Sequence, residues 1–250
     1  MRLDALVSYL DEYLRVPTVP DYPEAMNGLQ CANSGEVTRI TAAVDLCEAT
    51  VAGARTADAD LLLVHHGMFW GGLRPFTGML YRRVAGLLAG NVALYAAHLP
   101  LDRHPDVGNN PLLARALGFE PRGEWGESCG APIGVWGEVD WRREEIAGRI
   151  ERAVGTAPTA MLFGPERVRR VGVVTGAGGG LIAQASAAGL DTYVTGEGAH
   201  HTYFDAEERR INVFYAGHYA TETLGVKALA AALSTKFQVP WVFLDHPTGL

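Results

Sequence analysis

Six of the eight histidines follow closely on apolar runs that are typical of β-strands. Two of them, His65 and His66, end the run DLLLVHH. Because neighbouring strand residues point to opposite faces, this pair can serve two ions or straddle one edge of a sheet. The structural alternative is that one histidine caps a turn while the other is hydrogen-bonded in the core. Ligands of open α/β sheets bind beyond the carboxyl ends of the strands, so the position favours a binding site.

A second group of histidines and carboxylates follows a later apolar run, in the segment AAHLPLDRHPDVGNN. Carboxylates beside imidazoles suit Zn, Mn, Fe or Ni, and one carboxylate can bridge two such cations. We take His98 and Asp102 as the candidates for chemistry. His104 and Asp106 are expected to belong to a solvated turn that the prolines break.

The segment FYAGHYATETLGVKAL holds a third group, with His218 at a strand end and Glu222 four residues later. If the chain is already helical from His218, the two side chains share one helix face. Glu222 alone is ambiguous, because an acid in the first turn also compensates the helix dipole. The three groups together offer too many imidazoles and carboxylates for one tetrahedral zinc ion, and therefore predict two divalent metal ions.

Other polar segments can each be interpreted as functional or as structural. Glu197, His200 and His201 in TGEGAHH are candidates for orienting ligands, moving protons or contacting a substrate, and equally for an exposed helix start. The segment TGAGGG (175–180) resembles a phosphate-binding turn without the strict GxGxxG pattern, and close packing of glycines is the alternative. Asp45 is expected to cap the helix that follows it.

The elements that must position these residues alternate between strands and helices. Helical spacing predicts a first helix that ends near Arg15, before a proline-rich loop. Predicted strands at 37–45, at 60–66 and at the apolar start of 92–102 then alternate with helical stretches. This alternation predicts an α/β fold with parallel strands.

The same plan returns in the second half, which indicates an internal repeat. At an offset of 131 positions Asp60 aligns with Asp191, and at an offset of 120 YAAH (95–98) aligns with YAGH (215–218). We therefore predict two similar α/β domains, 1–123 and 124–250, facing a shared metal-binding cleft. A strand pair is expected at 123–140, and the final strand (236–247) can pair with either half.

Composition excludes several classes of protein. The 250 residues are 48% apolar and 20% charged, which is typical of a globular chain with a core. The net charge of −7 has the wrong sign for nucleic-acid binding. Without a long apolar run or a signal-like start, we expect a cytoplasmic protein with no membrane partner. The three cysteines form no CxxC pair, which speaks against a disulfide framework or a zinc ribbon.

The motifs HHGMFW, HLPLD, GNN and GHYATE closely resemble the Nif-three-like dinuclear metal-centre proteins, a family also called GTP cyclohydrolase I type 2-like, in its short form. This resemblance implies two metal ions per chain and a ring-shaped homohexamer. It also implies His98 close to the metals and a set of metal ligands in which Asp102 and Glu222 are the preferred bridges: His65, His66, Asp102, His218 and Glu222.

The leading hypothesis is a metal-dependent hydrolase acting on a small molecule. Two cations would activate water for the ring-opening hydrolysis of GTP or for attack on a phosphoester. His98 or His201 would be the catalytic proton carrier. The rival hypothesis is a metal-binding or metal-delivery protein, or a regulatory scaffold, that has no turnover and acts through protein partners.

Overall fold

The computed structural model describes residues 1–72 and 74–250. In this part of the chain the α-helices are α1 (Leu3–Tyr13), α2 (Glu48–Thr56), α3 (Gly78–Ala89), α4 (Leu99–Asp102), α5 (Asn109–Leu117), α6 (Arg143–Val154), α7 (Ile182–Ala187), α8 (Thr202–Arg209) and α9 (His218–Phe237). The strands are β1 (Gly28–Cys31), β2 (Ile40–Asp45), β3 (Leu61–His66), β4 (Ala93–Ala96), β5 (Gly123–Ser128), β6 (Ala131–Arg142), β7 (Thr159–Leu162), β8 (Arg167–Val174), β9 (Thr192–Thr195), β10 (Asn212–Tyr215) and β11 (Trp241–Phe243). Across these two described ranges, no helix is both long and apolar enough to span a bilayer.

The chain divides into two compact units that are not continuous in sequence. Their ranges are Met1–Leu101 with Gly225–His246, and Asp102–Leu224 with Pro247–Leu250. The first boundary between the units follows Leu101, whereas the sequence suggested a boundary near residue 123. Helix α5 joins the second unit because its Leu113 and Leu117 pack in one core with Ile146 and Val171. The segment Gly225–His246 belongs to the first unit, where its strand β11 pairs with β2.

The first unit is built on a five-stranded sheet with the order β1-β4-β3-β2-β11. Strands β2, β3 and β4 are parallel neighbours, β11 runs parallel to β2, and β1 is antiparallel to β4. Of the two pairings open to the final strand, the structure has the one with the first half. The run Leu61–Val64 is fully buried, as expected of a central parallel strand that is covered on both faces.

The second unit is built on a six-stranded sheet with the order β5-β6-β8-β9-β10-β7. Strands β8, β9 and β10 are parallel, and β6 and β7 are antiparallel to β8 and β10. The predicted strand pair is present as β5 and β6. The α/β fold is therefore confirmed, with three successive parallel strands at the centre of each sheet.

The repeat recurs in the strand register. Ile40 pairs with Leu61 and Val171 pairs with Thr192, so the two registers lie 131 positions apart. The aligned aspartates also make the same hydrogen bonds. Asp60 Oδ2 accepts from the backbone N–H groups of residues 38 and 39 at 2.7 and 3.1 Å, and Asp191 Oδ2 accepts from those of residues 169 and 170 at 2.7 and 3.1 Å.

Replacing either repeat aspartate will destabilise the protein to a similar extent. We expect Asp60→Ala and Asp191→Ala each to lower the free energy of unfolding by about 1–2 kcal/mol, because two amide donors lose a charged acceptor. Asp106→Ala, at an exposed position, is the control and should change it by less than about 0.5 kcal/mol. Urea unfolding of the three variants checks this, and a neutral result at either repeat position would show that the shared contact does not stabilise its unit.

Candidate metal centre

Three histidines come together at the carboxyl ends of the first sheet's central strands. Their ligand atoms, from His65, His66 and His98, all lie within 4.8 Å of one another. The ring centroids of His65 and His66 are 4.7 Å apart, although strand alternation would separate neighbours. Both residues are the last two of β3, and at this strand end their rings lie close together.

The rings of the paired histidines are each held by an adjacent strand. His65 Nδ1 lies 2.8 Å from the carbonyl oxygen of Ala97, which follows β4. His66 Nδ1 lies 2.8 Å from Oδ1 of Asp45, at the end of β2. A carbonyl oxygen and an ionised carboxylate only accept hydrogen bonds, so both Nδ1 atoms donate and each neutral ring carries its lone pair on Nε2. This tautomer is the one that ligates a metal through Nε2.

The expectation that Asp45 caps the next helix is wrong. The N-cap of α2 is Cys47, whose side chain accepts from the amide of Thr50. Asp45 pairs with His66 across the β2–β3 ladder, so its carboxylate lies beside that ring. Sequence analysis treated Asp45 as an isolated residue because the register of the two strands is not visible in the sequence.

His98 is held by a carboxylate that sequence analysis missed. Its Nδ1 donates to Oδ1 of Asp21 at 2.8 Å, and its backbone N–H donates to the side chain of Asn27 at 2.7 Å. Asp21 also accepts from Asn27 Nδ2 and from the amide of Leu99. Burial raises the pKa of Asp21, but these donors, His98 foremost, lower it by more, so the net shift is downward. Asp21 lies in the proline-rich loop after the first helix, where no local pattern marks a partner for a histidine.

Two aromatic side chains flank this imidazole group. The ring centroid of Trp70 lies 4.7 Å from that of His98 and 5.9 Å from that of His66. Tyr22 lies 6.1 Å from both Trp70 and His98. The indole of Trp70 is therefore close enough to report, by its fluorescence, on changes at the imidazoles.

A second group with ligand chemistry lies in the second unit. Helix α9 begins at His218, so the condition under which His218 and Glu222 share a face is met. His218 Nε2 lies 3.1 Å from Glu222 Oε2, and His218 Nδ1 lies 2.7 Å from Glu197 Oε1. Glu222 is buried. His218 thus shares with the first three rings an oxygen acceptor at Nδ1, and its Nε2 lies beside Glu222.

His218 is strongly basic in the metal-free protein. Burial lowers the pKa of its ring, but the hydrogen bonds and charges of Glu222 and then Glu197 outweigh burial and raise the pKa to about 9. A cationic ring between two carboxylates is stable without a metal. Because a metal ion binds the neutral ring, it must displace a proton here.

Asp102 is buried at the end of α4 and is held by neutral donors. Its Oδ1 accepts from Asn109 Nδ2 at 2.8 Å and from Thr175 Oγ1 at 3.4 Å. Asn110 in turn accepts from the amide of Thr175 at 2.7 Å. The GNN motif therefore positions a buried carboxylate, which fits a ligand fixed by surrounding hydrogen bonds.

Gly176 makes room for Glu222. Its φ is +67°, and a Cβ atom there would lie 2.1 Å from Glu222 Oε1. We expect Gly176→Ala to lower the free energy of unfolding by about 1–3 kcal/mol and to weaken metal binding at least about tenfold, because the carboxylate must move. Gly180→Ala is the matched control, since no atom lies within 4 Å of its Cβ position. Zinc titration of both variants checks this; equal affinities would mean that the position of Glu222 is irrelevant to the metal.

The remaining candidates have structural roles or exposed positions. The amides of the TGAGGG turn are used within the fold: Gly178 N donates to Thr195 Oγ1 and Gly179 N to the Glu197 carbonyl. The close-packing alternative is the one observed. His104 was expected in a solvated turn, but it is buried and its Nδ1 accepts two backbone amides. His201 is exposed at the start of α8, and the ligand groups found among residues 1–72 and 74–250 do not include it.

Comparisons with known proteins agree over the full length of the chain. The family profile described as Duf34/NIF3 (NGG1p interacting factor 3) matches residues 1–248. A Deinococcus radiodurans protein named GTP cyclohydrolase 1 type 2 homolog is 45% identical, over 99% of this chain and 94% of its own. A Pyrococcus abyssi protein of the same name is 44% identical over all of both chains. The crystal structure of TTHA1606 from Thermus thermophilus is similar with a TM-score of 0.88 and 43% identity, covering both chains completely.

Proposed function

The chain belongs to the Duf34/NIF3 family, and on that premise we propose that it is a metal-dependent hydrolase with two divalent ions per chain. The proposed ligands are His65, His66, Asp102, His218 and Glu222. Imidazoles and carboxylates together suit Zn, Mn, Fe or Ni.

One observation supports this proposal above the others. All four imidazoles of the two groups have Nδ1 within 2.7–2.8 Å of a carboxylate or carbonyl oxygen. Histidines that bind metals almost always donate their other ring N–H to such an acceptor, which fixes the tautomer and raises the basicity of the ligand nitrogen. The donor set therefore fits divalent cations. A core histidine needs one satisfied hydrogen bond, but structural histidines have no reason to be held in the same way, through Nδ1, at four positions.

Two bound divalent cations supply a nucleophilic water at neutral pH and polarise the group under attack. The chain itself fixes the rings, through Asp45, Asp21, Glu197 and the Ala97 carbonyl. His98 accepts a proton at Nε2 during turnover, with Asp21 stabilising the cation that forms. His201, which is exposed, exchanges protons with solvent.

The substrate is a small molecule, either a nucleotide that undergoes ring opening or a phosphoester. The first option is supported by the name of the curated relatives, GTP cyclohydrolase 1 type 2 homolog. The homohexamer implied by the sequence resemblance stays a prediction, which mass photometry checks.

The deciding experiment measures metal content per chain by plasma mass spectrometry, in untagged protein purified without chelator. We expect about two ions in the wild type and less than half of that in the Asp102→Ala, Glu222→Ala double variant, because both carboxylate ligands are gone. Asp106→Ala, Glu120→Ala, which removes two exposed carboxylates, is the matched control and should keep its metal.

Turnover is then measured with GTP and with a phosphoester panel, on wild type and double variant. Hydrolysis that disappears with the metal supports the enzyme. Two retained ions without turnover of any substrate would favour the metal-delivery alternative. Fewer than one ion in both proteins would refute the dinuclear site.

A further inference from the structure

The second unit contains a cavity of about 350 Å³ that the proposed metal chemistry does not use. It lies among the loop after α6, the loop after β9 and the first turn of α9, and the chain's last residues complete its wall. This volume falls at the lower end of the range for small-molecule sites in proteins. The cavity can hold a heterocyclic base or a nucleoside.

The charge of the cavity restricts its ligand. Among the described residues that line it, Glu197 is the side chain that is charged at neutral pH, and none is a lysine or an arginine. A phosphate group would meet this carboxylate with no lysine or arginine in the lining to bind it, and the His218 cation is already held between Glu197 and Glu222. The ligand at this position is therefore uncharged or cationic, and it must offer hydrogen-bond donors.

Glu197 has the capacity to accept such donors. Its Oε1 accepts from His218 Nδ1, and 45% of its side chain is exposed. An ionised carboxylate has two oxygens and about four acceptor positions, so one hydrogen bond from His218 leaves most of them for a ligand. Two adjacent N–H groups on a planar ring match a carboxylate in bidentate geometry.

The cavity also offers flat apolar surface. Tyr215 and Tyr219 line it together with Ala157 and Pro247. The hydroxyl of Tyr215 is hydrogen-bonded to Thr202, which anchors the far end of this side chain. Fixed aromatic surfaces beside a carboxylate favour a planar heterocycle over an aliphatic amine.

We propose that this cavity binds an uncharged planar heterocycle, which donates adjacent N–H groups to Glu197. The identification of this molecule as the substrate rests on the proposed function, whereas its binding does not. Since Glu197 also holds His218, ligand and metal share one carboxylate, and each will change the affinity of the other by the same factor.

The test uses guanosine, inosine and inorganic phosphate as probes, in calorimetric titrations of metal-free and metal-loaded protein. Guanosine carries an amino group next to its ring N–H, and inosine lacks that amino group. We expect saturable guanosine binding, inosine binding at least about tenfold weaker because one charged hydrogen bond is lost, and no binding of phosphate at this site.

Variants at the mouth of the cavity locate the binding. Ala157→Phe fills the cavity from an exposed lining position and should weaken guanosine binding at least about tenfold. Thr159→Tyr is a second variant with the same expected effect, in case the first does not fold. Ala160→Phe, at the next and also exposed strand position outside the lining, is the matched control and should bind as the wild type does.

Absence of saturable guanosine binding in both metal states would overturn the proposal. So would equal guanosine affinity in wild type, Ala157→Phe and Thr159→Tyr, or phosphate that competes with guanosine. Metal content is measured on the same samples. Guanosine binding by wild-type protein that takes up fewer than one ion per chain when metal is supplied would therefore refute the dinuclear site and leave this site standing.

Discussion

Metal affinity will rise about tenfold for each unit of pH between about pH 7 and pH 9. In the metal-free protein His218 has a pKa of about 9, because the carboxylates of Glu222 and Glu197 outweigh the effect of burial. Below that pH each metal ion that binds at this ring releases one proton, and one proton per ion changes the affinity tenfold per pH unit. The rise should level off above about pH 9, because the ring is half neutral at its pKa and mostly neutral beyond it.

Competition between the protein and a chromophoric zinc chelator, corrected for the chelator's own protonation, measures this profile. Glu197→Gln is the informative variant, because glutamine still accepts from His218 Nδ1 but carries no charge. In this variant the metal affinity should stop rising with pH at a lower pH than it does in the wild type. Equal affinities at pH 7 and pH 9 would show that His218 takes no part in binding.

The same proton stabilises the metal-free fold. The pKa of His218 is raised from 6.5 in the unfolded chain to about 9 in the folded one. This contribution is therefore fully present below about pH 6.5 and is lost as the pH rises through 9. Bound metal removes the dependence, so the melting temperature of the loaded protein should vary less across this window.

Removing the acceptor behind a ligand imidazole will weaken metal binding by about 10- to 100-fold without removing the ligand. The position is Asp45, which holds the proposed ligand His66. Asp21, which holds the proposed proton carrier His98, is the comparison and should change metal affinity less. In Asp45→Asn, the amide gives Nδ1 a weaker, uncharged acceptor, or presents its NH₂ group and favours the tautomer with the proton on Nε2. Either outcome lowers the basicity or the availability of the ligand nitrogen.

Zinc competition titration measures the loss, and the quenching of tryptophan fluorescence by Co²⁺ gives an independent reading through Trp70. Asp106→Asn, which is exposed, is the control and should bind as the wild type does. Asp21→Asn should also lower the melting temperature, since Asp21 accepts from Asn27 and Leu99 as well. Unchanged affinity in Asp45→Asn would mean that the imidazole of His66 is structural.

The positions of the histidines were predictable because the signal is local. The apolar run before His65 and His66 is a buried strand, and strands of an open α/β sheet direct their carboxyl ends to one edge. The spacing of His218 and Glu222 similarly predicted one helix face, once the helix start was known. Short-range periodicity carries this information without a structure.

The carboxylates that accept hydrogen bonds from the imidazoles were not predictable, because they lie far from the histidines in the sequence. Asp21 and His98 are 77 positions apart, and Asp45 meets His66 only through the β2–β3 register. The residue ranges of the two units were not predictable for the same reason, because the pairing of β11 with β2 is a long-range contact. Such contacts follow from how the whole sheet is assembled, which a local pattern does not encode.

The two halves solve the same position of the repeat differently. At the offset of 131 that the strand registers share, the position of Asp45 corresponds to Gly176. The first half has an acid there, which holds a histidine, whereas the second has a glycine, and Glu222 from a helix occupies the space. The two positions are therefore not interchangeable: an aspartate in place of Gly176 would occupy the room that Glu222 needs.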